Sequence, residues 1–208
     1  MFDITRYAVV AGSIMEAGRF LYDRGWSPAT SSNYSARLDS EHLAITVSGR
    51  HKGRLGAGDV MVVDLQGRPV QSGSRASAET LLHTALYQVF PEVGAILHTH
   101  SVNATVLSRL LAAGESLKFE GYELQKAFDG VETHESAVTV PVFENTQDIE
   151  ALARQTREWF LEHPEQPGYL IRGHGLYTWG KTMADCLRHL EAFEFLFECE
   201  LATMRVRP

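Results

Sequence analysis

Residues 95 to 101 read Ala-Ile-Leu-His-Thr-His-Ser, an apolar run ending in two histidines one residue apart. The run has the composition of a buried strand. Alternate side chains of an extended chain share a face, so His98 and His100 can reach one cation without bending the backbone. A third histidine stands in Ile171-Arg172-Gly173-His174-Gly175-Leu176-Tyr177, between two glycines. Glycine permits close backbone approach or positive φ, which a tight turn delivering a ligand needs. Three imidazoles with an open fourth position form a catalytic zinc arrangement; structural zinc sites are closed by four protein ligands. His98, His100 and His174 are the predicted metal ligands. His42, His51, His83, His134, His163 and His189 have no comparable setting and read as surface or packing residues.

Two carboxylates near these segments could move protons: Glu79, before the histidine strand, and Glu123, in Gly121-Tyr122-Glu123-Leu124 after it. A first-turn helical glutamate also favours the helix dipole, so residue type alone does not choose between them. The stretches Ser31-Ser32-Asn33 and Ser48-Gly49-Arg50-His51-Lys52-Gly53 are turns rich in small donors. Such turns can present backbone N–H groups and hydroxyls to a phosphate, with Lys52 adding a full charge. Arg50, His51, Lys52 and Arg54 form a local basic patch on an otherwise acidic chain. There is no P-loop and no dinucleotide fingerprint.

At 208 residues the chain reads as a single domain over 1–208, large enough to bury a core that does not need the metal. Hydrophobic residues make up 44% and charged residues 22%, as in an ordinary globular protein. A net charge of −7 argues against a nucleic-acid partner, because phosphate neutralisation requires clustered Lys and Arg. No apolar segment is long enough to span a bilayer, and the first residues lack a charged start followed by an apolar run, so a cytoplasmic location and no membrane partner are expected. Cys186 and Cys199 fall on one predicted helix and read as packing residues.

These side chains need a scaffold. Helical spacing of Tyr7, Val10, Ile14, Phe20 and Leu21 predicts an opening helix over the first 24 residues, stopped at Gly25. Strands are predicted at Asn33–Arg37, Leu43–Val47 and Val60–Asp64, with Gly67 turning the chain into Pro69-Val70. A helix follows over Ser77–Val89, with Ser77 as N-cap, then the histidine strand, then a helix to about Ala113 closed by Gly114. Ala137–Val142, Tyr169–Ile171 and Leu176–Trp179 read as strands, and Asp148–Leu161 and Thr182–Met204 as helices. This order predicts a layered α/β (α+β) domain around a largely antiparallel sheet; it does not fit the regular strand–helix alternation of an eight-stranded barrel.

Several segments together resemble the class II aldolase/adducin family: Thr30-Ser31-Ser32-Asn33-Tyr34-Ser35, Ile45-Thr46-Val47-Ser48-Gly49, Ser77-Ala78-Glu79-Thr80, His98-Thr99-His100-Ser101 and Gly173-His174-Gly175. They occur in family order across nearly the whole chain. The resemblance implies an α/β/α domain, one Zn2+ per subunit on His98, His100 and His174, and a small phosphorylated ketose as substrate. It places the phosphate near Ser32, Asn33, Ser48, Gly49 and Ser77. Ser48-Gly49-Arg50-His51-Lys52-Gly53, Phe119-Glu120-Gly121-Tyr122-Glu123 and Gly175-Leu176-Tyr177-Thr178-Trp179-Gly180 resemble the branch that dehydrates a methylthio-substituted ketose phosphate in methionine salvage. In that branch Glu123 matches the acid/base, whereas Glu79 matches the base of the sugar-phosphate aldolases, and this chain has both. Ala78 replaces a serine common in the aldolases, and Gly173 replaces an asparagine. A homotetramer is the implied assembly. The competing expectations are aldol cleavage or epimerisation of another ketose phosphate, and a non-catalytic adducin-like interaction domain, which would lack the ligands.

Overall fold

The computed structural model describes residues 2–70 and 76–206. The chain opens with α1 (Ile4–Asp23), whose N-cap Asp3 accepts from the N–H groups of Thr5 and Arg6, two donors the first turn would otherwise leave unpaired. Its buried stripe, Ala11, Ile14, Ala17 and Leu21, recurs at helical spacing and faces the sheet. An antiparallel meander follows, β1 (Asn33–Arg37), β2 (His42–Thr46) and β3 (Val60–Asp64). Then come α2 (Thr80–Val89), β4 (Ala95–Thr99), α3 (Val102–Leu110), β5 (Ser116–Phe119) and β6 (Val138–Phe143). The chain finishes with α4 (Ile149–Glu162), β7 (Gly168–Ile171), β8 (Gly175–Gly180) and α5 (Met183–Val206).

The eight strands of the described residues form one sheet in the order β3-β2-β1-β4-β8-β7-β6-β5, antiparallel except where β6 meets β7. The strand alternation sorts side chains into two cores. Along β4, Ala95 and Leu97 point to the face covered by α1, α3 and α5, while Ile96 points to the face covered by α2 and α4. Both faces are therefore buried, and the architecture is a layered α/β/α domain. Each fully buried side chain such as Leu97 or Ile96 contributes about 1.5–3 kcal/mol of transfer free energy. No described helix is long and apolar enough to cross a membrane.

Three local expectations change. The second helix begins at Thr80, not Ser77: Ser77 O accepts from Thr80 N and Ser77 Oγ from Glu79 N, which closes a turn ahead of the helix and leaves Glu79 as its cap. The third helix ends at Leu110 and not near Ala113, because Gly114 N pairs with Val142 O and Glu115 reaches back to Ala112 N, starting β5, a short edge strand whose four residues gave too brief a pattern to read. Cys186 is buried as expected, but Cys199 is only half-buried.

Candidate metal centre and its surroundings

The site is built on a row of paired residues crossing the sheet: Asn33 on β1 faces His98 on β4, His98 faces Tyr177 on β8, and Tyr177 faces Tyr169 on β7. Paired residues of an antiparallel ladder project to the same face, here the side covered by α2 and α4. The rings stack, with His98 4.0 Å from Tyr177 and Tyr177 4.8 Å from Tyr169, so His98 is packed against a fixed aromatic column. His100 lies just past the end of β4, its N–H donating to Trp26 O.

His174 arrives by the turn between β7 and β8. Gly173 holds φ +66, the left-handed region that penalises other residues. Gly175 is needed for space, since a Cβ there would lie 1.9 Å from the carbonyl oxygen of Thr99. The turn is fixed from α3, where Ser108 Oγ accepts from Gly173 N at 3.0 Å and Thr105 Oγ1 donates to His174 O at 3.2 Å.

The three Nε2 atoms converge, with separations of 2.8 Å (His98–His100), 3.3 Å (His98–His174) and 3.2 Å (His100–His174). Ligands about 2.05 Å from a tetrahedral zinc lie about 3.3 Å apart, so the spacing fits that metal. His98 Nδ1 donates to Leu176 O at 2.9 Å, which fixes its tautomer and leaves Nε2 as a bare lone pair aimed at the shared point. Burial, reinforced by His100 and His174, holds the His98 ring well below its ordinary pKa, and burial brings His100 down to about 4, so both are neutral and ready to ligate. Converging lone pairs in a buried pocket repel one another unless a cation lies between them. This donor set fits a divalent metal.

Glu79, capping α2, lies over the same opening: Oε1 is 3.1 Å from His174 Nε2 and 3.9 Å from His98 Nε2. Its other oxygen, Oε2, accepts from Asn33 Nδ2. Burial acts to raise the Glu79 carboxyl, but a hydrogen bond from His174 Nε2–H, which forms only when that nitrogen is protonated and not ligating, outweighs it and holds the carboxyl below the usual range.

The profile of the class II aldolase and adducin N-terminal domain matches residues 12–201. The chain belongs to the class II aldolase/adducin family. It is 78% identical over 207 residues to the methylthioribulose-1-phosphate dehydratase of Marinobacter nauticus and 64% identical over 207 residues to that of Hahella chejuensis, in each case across 100% of both chains. Among solved structures it resembles YgbL of Klebsiella pneumoniae, a putative aldolase/epimerase/decarboxylase, with a TM-score of 0.78 at 24% identity, covering 97% of this chain and 92% of that one. The L-fuculose-1-phosphate aldolase of Thermus thermophilus gives a TM-score of 0.73 at 25% identity, covering 96% of this chain and 97% of that one.

Within this class II aldolase domain, the other predicted residues divide. Ser32 takes φ +72, and its Oγ is buried, with Tyr34 as its neighbouring polar group. Lys52 is buried, because the short 3-10 turn Lys52–Arg54 packs against α1. Its Nζ donates to Arg50 O at 2.6 Å and Thr30 O at 3.4 Å, and its charge is felt by Glu79 and His100. Arg50 is paired with Asp59 and Arg54 is exposed, so of this basic stretch Lys52 is the residue drawn into the interior. Ser48 and Gly49 are exposed at the end of β2, and Ser77 is half-buried beside Glu79.

Two assignments take a different setting from the one expected. Asn33, expected at the phosphate, has its amide committed to Glu79 and His83. Glu123 is exposed on a 3-10 turn, Glu123–Ala127, that packs against α5 on the opposite face of the sheet, and it pairs with Lys126 and His134. The residue that sequence reasoning missed is His83, fully buried beneath Asn33. Its position four residues after Glu79, one helical turn away, was the available signal.

Proposed function

We infer that this chain is a lyase that dehydrates 5-methylthioribulose 1-phosphate to 2,3-diketo-5-methylthiopentyl 1-phosphate, a step of methionine salvage. The observation that carries the reading is the full-length 78% identity to a dehydratase of that name. The convergence of three histidines beside one buried carboxylate supports the chemistry.

His98, His100 and His174 would hold one Zn2+ per subunit, which would supply Lewis-acid polarisation of the substrate carbonyl and so acidify the neighbouring C–H. Glu79 Oε1, held beside the ligands, takes the C3 proton. The hydroxyl at C4 departs as water with a proton returned from the same carboxyl, leaving a C3–C4 enol that ketonises to the diketone. Ser32, Ser48, Gly49, Ser77 and the Lys52 ammonium take the phosphate, which lends its binding energy to orienting the reacting carbons. Asn33 serves Glu79 instead. A cytoplasmic location suits a phosphorylated substrate that cannot cross a bilayer unaided.

Glu123 lies across the sheet from its own chain's histidines, so as acid/base it would have to enter from a second copy, as in a homotetramer with shared sites. The deciding assay gives zinc-loaded protein methylthioribulose 1-phosphate and follows the diketone, with Glu79→Gln, Glu123→Gln and chelated protein alongside. The expected result is metal-dependent diketone that Glu79→Gln lowers about 10²–10⁴-fold, the usual worth of a general base, and that Glu123→Gln retains. Loss in Glu123→Gln alone would transfer the role to Glu123. No turnover by zinc-loaded wild type would overturn the dehydratase reading and direct the search to aldol cleavage of other ketose phosphates.

A further inference from the structure

Asn33 stands between Glu79 and His83 on the first turn of α2 and makes a hydrogen bond to each: Nδ2 donates to Glu79 Oε2, and Oδ1 meets His83 Nε2. An amide oxygen only accepts, so His83 Nε2 must carry the proton. Burial drives the His83 pKa down to about 3 against the opposing pull of Glu79, and the ring is neutral with a bare Nδ1. That nitrogen lies 2.7 Å from Ser35 Oγ, which therefore donates to it, and Ser35 Oγ lies 3.0 Å from Tyr87 OH, which donates in turn. Every donor then has one acceptor and the chain runs in a single direction, Tyr87 to Ser35 to His83 to Asn33 to Glu79. Ser35 lies two residues beyond Asn33 on β1, and His83 and Tyr87 are one turn apart on α2, so strand and helix periodicities bring the chain together.

The direction has a consequence at the carboxylate. An asparagine amide can rotate to exchange its oxygen and nitrogen, and the rotated form would set Oδ1 against the anionic Glu79. The His83 N–H blocks that rotation by requiring an acceptor. One oxygen of Glu79 is thereby anchored and the other is left facing the histidine ligands. We propose that His83 is a positioning residue that acts through Asn33 to anchor Glu79 Oε2, so that Oε1 is the oxygen exchanging protons with substrate. The catalytic part of this inference rests on Glu79 being the acid/base.

The test uses zinc-loaded protein and three variants, His83→Leu, His83→Gln and Asn33→Ala, each checked for folding and zinc content. His83→Leu is expected to keep zinc, lower kcat about 10- to 100-fold, as misplacement of a reacting group does, and leave KM unchanged. Glutamine can still donate to Asn33 Oδ1, so His83→Gln recovers most of that loss. Because His83 acts through Asn33, adding His83→Leu to Asn33→Ala costs nothing further. Wild-type kcat in His83→Leu, or additive losses in the double variant, would overturn the proposal. A wild type without turnover would instead reject the functional reading above. The relay has its own readout: long-range proton–nitrogen spectra should show His83 as the neutral Nε2–H tautomer between about pH 6 and pH 8, where an exposed histidine titrates. The Nδ1–H tautomer or an imidazolium there overturns the relay whether or not substrate is consumed, and also if His83→Leu fails to fold.

Discussion

At the scale of the residue, Lys52 shows how burial changes the chemistry of a surface-type side chain. Burial lowers its pKa to about 8, while the charges of Glu79 and Asp59 act to raise it. The ammonium is charged below about pH 8 and lost above it. Because Lys52 is proposed to hold the phosphate, kcat/KM should fall as pH rises through about 8, and Lys52→Met should raise KM and abolish that limb. The ordinary lysine pKa is about 10.4 in the unfolded chain, so between about 8 and 10.4 the unfolded state binds more protons and folding gains stability as pH rises; below that window the buried charge carries its full penalty. Lys52→Met removes the penalty and is expected to raise Tm by about 2–4 °C at pH 7, a stability gain at a functional site. A pH profile unchanged by the substitution, or a lower Tm, would contradict this account.

At the scale of the element, the turn that carries His174 is held from α3 as well as from its own strands. Ser108 and Thr105, one helical turn apart, hold the backbone of Gly173 and His174. Ser108→Ala removes an acceptor supporting a ligand-bearing turn, and zinc affinity should drop about tenfold with little change in Tm, the usual effect of losing an outer-shell partner. Gly175→Ala should behave differently, because its Cβ would meet the Thr99 carbonyl at 1.9 Å and push β8 away from β4. Both Tm and zinc binding should fail together. Competitive zinc titration and thermal melts separate the two outcomes, and equal behaviour would show that α3 does not govern the turn.

At the scale of the whole molecule, the two cores flanking the sheet are continuous without the metal centre. The metal then adds only its own binding free energy to folding. Chelation should leave the far-UV spectrum intact while lowering Tm by about 5–15 °C relative to protein in zinc at 100–1,000 times Kd. Collapse of secondary structure on chelation would mean instead that the centre is structural.

The sequence by itself determined the strands on which the site stands and singled out the three histidines that converge there. Strand periodicity is local, so Asn33–Arg37 and Val60–Asp64 could be read to the residue, and the glycines around His174 announced a turn that admits little else. Both candidate carboxylates were equally legible as residue types. Only the tertiary structure separated them, because which face of a sheet a side chain reaches depends on strand order and helix placement, quantities set by long-range packing. The same packing buried Lys52, committed Asn33 to Glu79 and brought His83 against Asn33, since a hydrogen bond between residues 33 and 83 has no local pattern to announce it.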